Sequence, residues 1–396
     1  MTKLEDCVIV SAVRIPIGKF GGALKDLKVY DIGGEAIKAA VEKAGISPDM
    51  VDEVIMSHTR QDGTGTNPAR TALLRAGLPI PVAAHTVNKV CAAGIKAVSL
   101  ATQAIRVGDA EIIVVGGMES MSNIPHVLRG ARWQGFRLTD ITIEDAFLYL
   151  ICPFCGLSPG LIAEQTAVKH KLNREEQDRI GYESHKKAVQ AWEDGIFKDE
   201  VVPITIPATR KKPEWVFDKD ECLRPDVNLE TMQKLRPAFK KDGTGTVTAG
   251  QSSGITDGAG AMVMMSRQKA KELGLKPMAH IVDYMFYGVD PGFFPEGPSV
   301  TIPRHLKKVG MTVDDITAFE INEAFAVVNC ICINEAGIPW EKTNLHGGGI
   351  SLGHPTGYTG ARLTLHLANY LKAGEYGLAA ACGGGGLTGS IIVQGE

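Results

Sequence analysis

Cys91 lies in Val87-Asn88-Lys89-Val90-Cys91-Ala92-Ala93-Gly94-Ile95-Lys96-Ala97, an apolar approach followed by small residues. The pattern predicts a strand over 83–90 delivering a cysteine to a helix over 92–107. Orphan N–H groups and the helix dipole favour an anion at such a junction. That setting lowers a thiol pKa from about 8.5 toward neutrality and makes a nucleophile. The competing reading is a small buried hydrophobe. A second cysteine, Cys382, precedes Gly383-Gly384-Gly385-Gly386, where bare main-chain amides beside a thiol suit acid/base work and an oxyanion. His354 stands in Gly347-Gly348-Gly349-Ile350-Ser351-Leu352-Gly353-His354-Pro355-Thr356-Gly357, where glycines imply tight turns and close approach to a ligand. Asn322, in Glu320-Ile321-Asn322-Glu323-Ala324-Phe325, sits where a strand runs into a helix, and a helix cap is its plain alternative.

The elements that must position these groups alternate. A strand over 7–13 leads to a Pro/Gly loop, a helix over 30–44 closed by Gly45, a strand near 54–56, and a helix from Pro68. A buried strand, 111–117, follows the Cys91 helix. This order predicts an α/β fold with a largely parallel sheet. From Met118 to about Gly243 the alternation breaks, and helices over 161–170 and 174–194 suggest an inserted, mainly helical segment over a site. Its charged string Arg210-Lys211-Lys212 reads as solvated surface.

The alternation then repeats. Gly45-Ile46-Ser47-Pro48-Asp49-Met50-Val51 is similar to Gly310-Met311-Thr312-Val313-Asp314-Asp315-Ile316, and Cys91 follows Gly45 by 46 residues as His354 follows Gly310 by 44. Each is succeeded by a small-residue helix and an apolar strand, 111–117 or 377–386. A duplicated fold brings the Cys91 and His354 helix starts to one cleft.

Together, Val87–Ala97, Asn322-Glu323-Ala324-Phe325, Gly348–Gly360 with Ala361-Arg362, and Cys382-Gly383-Gly384-Gly385 resemble the thiolase family. Asn67-Pro68-Ala69-Arg70, Gly116-Gly117-Met118-Glu119-Ser120-Met121-Ser122 and Thr248-Ala249-Gly250-Gln251-Ser252-Ser253-Gly254 extend the likeness in the family's order, weakening only across about 130–235. The resemblance implies duplicated βαβαβαββ halves in a five-layered α-β-α-β-α core. The first half would take 1–118 with 244–275, an inserted loop domain 119–243, and the second half 276–396. It implies that Cys91 is the nucleophile that takes an acyl group, His354 the base that activates it, and Cys382 the second catalytic cysteine. Asn322 would hold a water that serves the enolate oxygen with His354, and the amides of Cys91 and Gly384 would form the other oxyanion hole. Ala249 and Ser253 would meet the pantetheine of CoA, with Ala324 and Phe325 lining the same channel.

The implied activity is a CoA-dependent acyltransferase that cleaves 3-ketoacyl-CoA or condenses acetyl-CoA through an acyl-Cys91 intermediate. An acetyl-CoA acetyltransferase is the first reading and a longer-chain degradative thiolase the alternative. A ketoacyl synthase generally has histidine where Asn322 stands and leaves Cys382 unexplained. A non-catalytic acyl-CoA-binding protein leaves all four groups unexplained. Acyl-CoA is expected as substrate, with no tightly bound cofactor and no metal, and the family implies a homodimer or homotetramer. Ser158-Pro159-Gly160 replaces the His-Met or Pro-Met before glycine found in many thiolases, which bears on acyl length. Cys152-Pro153-Phe154-Cys155 reads as packing in the inserted segment or as a redox-sensitive loop, with no second pair at zinc spacing.

The 396 residues exceed one ordinary core, and 44% hydrophobic with 22% charged residues describes a globular protein. A formal net charge of −3 gives no reason to expect nucleic acid or a membrane surface. The start Met1-Thr2-Lys3-Leu4-Glu5-Asp6 has no signal-peptide pattern, and eight cysteines in so long a chain fit a reducing cytoplasm rather than a disulfide framework.

Overall fold

Strands buried on both faces must alternate between two apolar environments, and those of this chain do. In the computed structural model, which describes residues 6–133, 135–210 and 212–396, strand β1 (Cys7–Arg14) puts Val8 in one apolar cluster and Cys7 and Ile9 in another. A bulge between Ile9 and Ser11 reverses the alternation, so Ala12 joins the second cluster and Val13 the first. Met1–Glu5, and Lys211 of the charged string, lie outside the described residues.

The first half continues with α1 (Val29–Ala44), β2 (Glu53–Ser57), α2 (Pro68–Arg75), β3 (Ala83–Val87), α3 (Ala93–Val107) and β4 (Ile112–Ser120). It closes with β5 (Thr256–Ser266). Its strands lie in the order β1-β5-β4-β2-β3. The second half runs β6 (Ala279–Gly288), Gly297–Val309, β7 (Ala318–Ile321), Ala326–Ala336, Thr356–Tyr370, β8 (Tyr376–Gly383) and β9 (Leu387–Gly395). Its strands lie in the order β6-β9-β8-β7, the same path without a last strand. Where that strand would recur there is one parallel bridge, Phe319 to Thr343. Two β1–β6 pairs, Val8 with His280 and Ile9 with Ala279, join the halves edge to edge.

The sheet is mixed, not largely parallel. Pairings β2–β3, β2–β4 and β7–β8 are parallel, whereas β1–β5, β4–β5, β6–β9 and β8–β9 are antiparallel. The reason is that each half ends on a strand that runs back against its neighbour: β8 reaches β9 through the turn Gly384–Gly386, and β5 returns along β4 after a long inserted segment.

Inserted between β4 and β5 are α4 (Pro159–Lys169), α5 (Arg174–Glu193), a shorter helix and two small hairpins. The remaining long helices are then α6 (Gly297–Val309), α7 (Ala326–Ala336) and α8 (Thr356–Tyr370). Residues of α1 and α2 pack on the outer face of the first sheet, and α6 and α7 on that of the second, while α3 and α8 share the apolar cluster between the sheets. These are the five layers α-β-α-β-α.

Helix α3 lies in the stretch Val90–Val107, long and apolar enough by composition to cross a membrane, but 61% of that stretch is buried in the core. Its small residues have a packing purpose. A Cβ added to Gly94 would lie 2.0 Å from the Ala361 nitrogen, and one on Gly360 would lie 2.7 Å from the Ile95 nitrogen, so the central helices meet main chain to main chain. Gly94→Ala is expected to lower unfolding stability by about 3 kcal/mol, at the upper end for overpacking, because backbone rather than a movable side chain must yield. Urea denaturation measures it, and an unchanged midpoint refutes the close crossing.

Burial also sets an acid limit. His185, His305, His346 and His354 are each pushed down to about 4, first of all by desolvation. The unfolded chain binds those protons near pH 6.5, the folded chain only near 4, so stability falls as pH drops through that window. Glu119 and Glu200, held at about 2, extend the loss below the ordinary carboxylate range. Thermal midpoints are expected to decline from pH 6.5 downward, before carboxylates titrate; a flat midpoint to pH 5 contradicts these neutral histidines.

Candidate active site

Strand β3 ends at Val87, three residues earlier than the apolar run suggests, and Val90 takes a left-handed φ of 51° just before Cys91. The Asn88 side chain holds this turn by accepting from the Val90 amide at 3.0 Å. A β-branched residue in that region is strained, and strain of this kind gathers at functional sites. Helix α3 begins at Ala93 with Ala92 as its cap, leaving Cys91 just outside the helix and 7% exposed.

The turn after β8 faces it. The Gly384 amide donates toward the Cys91 thiol, and a Cβ on Gly383 would lie 3.4 Å from the Cys91 nitrogen. The expectation of a lowered thiol pKa is not met. Burial pushes Cys91 up to about 12, the Gly384 amide offsets this only in part, and the carboxylate of Glu119 adds to the rise. Cys91 therefore rests as a neutral thiol. Cys382, fully buried on β8, faces the outer apolar cluster, and burial followed by the neighbouring Cys91 raises its thiol well above the ordinary range.

His354 precedes α8. Its Nδ1 lies 2.6 Å from the Thr359 hydroxyl, which itself donates to the Pro355 carbonyl at 3.0 Å. A hydroxyl has one proton, so Nδ1 must be the donor and Nε2 carries the lone pair. Burial, then Arg362, holds the ring neutral. The Asn322 side-chain nitrogen faces that Nε2 at 3.4 Å, and among the described residues the buried Asn322 Oδ1 has no partner. Asn322 is no helix cap: α7 begins at Ala326 with Phe325 as its cap, and the Asn322 amide bonds instead to Ala380 on β8.

The other expected residues form a wall. The Ser253 amide and hydroxyl both donate to the Ala324 carbonyl at 3.1 Å, and Ser252 bridges to Phe325. Phe325 packs edge-on against Phe239 at 5.9 Å, and a Cβ on Gly160 would lie 2.1 Å from that ring. In Ser158-Pro159-Gly160, therefore, Ser158 caps α4 and Gly160 makes room for Phe239. Ala249 lines a cavity of about 740 Å³ with Gly250, Ser252, Arg224 and His185, beside this wall rather than at the two cysteines.

In the sequence Glu119 stands out only as part of the Gly116–Ser122 motif. It is fully buried at the end of β4 and accepts from the Gly357 amide at 2.7 Å, the Thr356 hydroxyl at 2.7 Å and the Arg60 amide at 3.1 Å. His58 Nδ1 lies 2.6 Å from it. Burial alone would raise its pKa, but His58, Thr59 and Thr356 outweigh it and hold the carboxylate at about 2. Glu119 so fixes the first turn of α8, and with it His354, to the end of β2. A lone carboxylate closing a continuously apolar strand is the signal that sequence offers for such a clasp. Glu164 and Glu323 act alike: Glu164 accepts from the Thr246 and Val247 amides, while Glu323 joins Ser184 of α5 to Asn344 and the Ile350 amide. Glu119→Gln is expected to destabilise the fold by about 3 kcal/mol, since it leaves a buried partner uncompensated. Urea unfolding at pH 7 tests this, and a loss under about 0.5 kcal/mol, the range of ordinary surface changes, rejects the clasp.

With this geometry in view, the chain's likeness to known proteins is specific. Residues 7–268 match the thiolase N-terminal domain, and 275–395 the thiolase C-terminal domain. The chain is 43% identical to mitochondrial acetyl-CoA acetyltransferase of Bos taurus, over 99% of this chain and 92% of that protein. It is likewise 43% identical to acetyl-CoA acetyltransferase of Chromobacterium violaceum, over 98% and 99%. The crystal structure of Bacillus anthracis acetyl-CoA acetyltransferase superposes with a TM-score of 0.95 at 40% identity, covering all of both chains. Human mitochondrial 3-ketoacyl-CoA thiolase gives 0.93 at 38%, again over both whole chains. A thiolase from Ascaris suum in complex with coenzyme A gives 0.92 at 34%, covering 99% of this chain and all of that one. Two matched domains spanning nearly every residue, on a duplicated five-layered core, make this chain an acyltransferase belonging to the thiolase family.

Proposed function

We propose that this chain is an acetyl-CoA C-acetyltransferase that cleaves acetoacetyl-CoA with CoA, or runs the condensation in reverse, through an acyl group on Cys91. What supports the reading is two pairs: the Gly384 amide on the Cys91 thiol, and the Asn322 amide nitrogen at 3.4 Å from the His354 Nε2 lone pair. The names of the relatives support the two-carbon acyl group.

In the cleavage direction Cys91 attacks C3 of the 3-ketoacyl thioester and gives its proton to Nε2 of His354. A neutral thiol and a neutral imidazole are the reactants this transfer requires. The oxygen charge that develops is met by the amides of Cys91 and Gly384; one such donor is worth about 3–4 kcal/mol in a dry site. Breaking C2–C3 leaves acyl-Cys91 and the enolate of acetyl-CoA. Cys382 protonates that carbon, while a water on Asn322, with His354, serves the enolate oxygen; the unpartnered Asn322 Oδ1 suits such a water. Cys382 then takes the proton of the incoming CoA thiol. The CoA sulfur accepts the acyl group, and Cys91 recovers its proton from His354. Ala249, Ser253, Ala324 and Phe325 line the pantetheine path, and the 740 Å³ cavity takes the rest of CoA.

The reading extends to the assembly. Residues 1–118 with 244–275 and residues 276–396 are assigned as the two thiolase halves, with 119–243 covering the cleft. Leu128, Trp133, Phe136, Leu138, Ile141 and Ile143 are exposed on one covering loop, and β3 is an edge strand of the first sheet, which favours a homodimer or homotetramer. The free thiols suit a reducing cytoplasm, and acetyl-CoA chemistry a place in fatty acid metabolism.

The test is CoA-dependent cleavage of acetoacetyl-CoA beside a long-chain 3-ketoacyl-CoA, with Cys91→Ala and His354→Ala as variants. Expected is turnover of the short substrate with an acetylated Cys91 in the intact-protein mass. Loss of general-base help should cost His354→Ala about 100-fold or more, and Cys91→Ala should be inactive. Preference for the long chain transfers the reading to a degradative thiolase, and Cys91-independent turnover overturns the mechanism.

A further inference from the structure

The covering segment holds a pair of thiols that acyl transfer does not use. Cys152 and Cys155 lie on one closed turn: the Cys152 amide donates to the Leu157 carbonyl at 2.9 Å, and the Gly156 amide to the Cys152 carbonyl at 2.8 Å. Gly156 makes the turn possible with a left-handed φ of 71°. Inside it the amides of Phe154 and Cys155 are directed at the Cys152 sulfur, with the Cys155 thiol beside it. Pairs three residues apart on such a turn meet the separation a disulfide needs. Phe154 at the tip is 81% exposed and Cys155 only half-buried, which gives a small molecule access. Cys330 and Cys332 differ, being buried on α7 with thiols raised by desolvation.

We propose that Cys152 and Cys155 form a reversible dithiol/disulfide site, oxidised by a low-molecular-weight disulfide of the glutathione class. One thiol of the pair, as the thiolate, displaces one glutathione thiolate and forms a mixed disulfide; the other then gives up its proton, attacks that sulfur and expels the second glutathione. Two electrons pass from the dithiol to glutathione disulfide, and the two protons end on the two released thiols. Among the described residues no third His, Cys, Asp or Glu joins the pair as a metal ligand. Cys152 belongs to the apolar cluster that also holds Phe325 and Cys382, so the bond would form at the edge of the same packed unit. The proposal stands independently of which acyl group the enzyme transfers.

The full-length protein, reduced and then equilibrated across glutathione redox ratios, is acid-quenched, alkylated and digested with trypsin. The peptide 138–169 carries Cys152 and Cys155 and no other cysteine, while Cys91 and Cys382 fall on separate peptides. Expected is loss of two hydrogens and of alkylation on 138–169 in oxidising buffer, reversed by dithiothreitol. In single variants, Cys152→Ser or Cys155→Ser, the reaction should stop at a glutathione adduct on the remaining cysteine. Two alkylated thiols at every ratio, or stable glutathione adducts without the internal bond in the unmutated chain, would each overturn the proposal.

Discussion

Between the two sheets, helices α3 and α8 cross with main chain against main chain, because Gly94 and Gly360 have no side chain to hold them apart. The approach fixes where both helices begin. Cys91 precedes one and His354 the other, and neither can move without shifting a helix clamped between two sheets. Gly116 and Gly117 on β4 continue the same economy of space: a Cβ on Gly116 would lie 2.1 Å from the Gly260 carbonyl oxygen, and one on Gly117 would lie 2.7 Å from the Cα of Tyr358. A close-packed interior transmits position with little slack, which is what a site assembled from distant parts of a chain needs.

Burial governs the chemistry that this scaffold presents. The helix terminus, which in isolation favours a thiolate, is outweighed at Cys91 by desolvation, and the same force keeps His354 neutral. Both groups rest uncharged, with the imidazole tautomer set by Thr359.

The covering segment is fastened by charges removed from water. Arg14 on β1 reaches Glu200 at 2.7 Å and Asp220 at 2.8 Å, all three side chains being essentially inaccessible, and His366 meets the other oxygen of Glu200 at 2.6 Å. On the opposite side Glu323 ties α5 to the glycine-rich turn before His354. Such pairs add little net stability over an apolar contact, yet they penalise any docking that leaves one unpaired. They give the segment one seat against the core.

Local pattern determined a good deal of this protein. The periods of α1, α3 and α5, the glycine stops at Gly45 and Gly310, and the repeat linking Cys91 to His354 are properties of neighbouring residues, so they were readable in the chain. The motifs around Asn322, His354 and Cys382 pointed to thiolase chemistry for the same reason. What the sequence did not carry was whatever depends on residues far apart. Strand direction was one such matter, since an apolar strand looks alike whether its neighbour runs with it or against it. The clasp of Glu119 on α8 was another, and so was the early end of β3, which leaves Val90 in a left-handed turn. The protonation of Cys91 was decided only by tertiary structure, because a helix dipole is local while desolvation is the sum of everything packed around the sulfur.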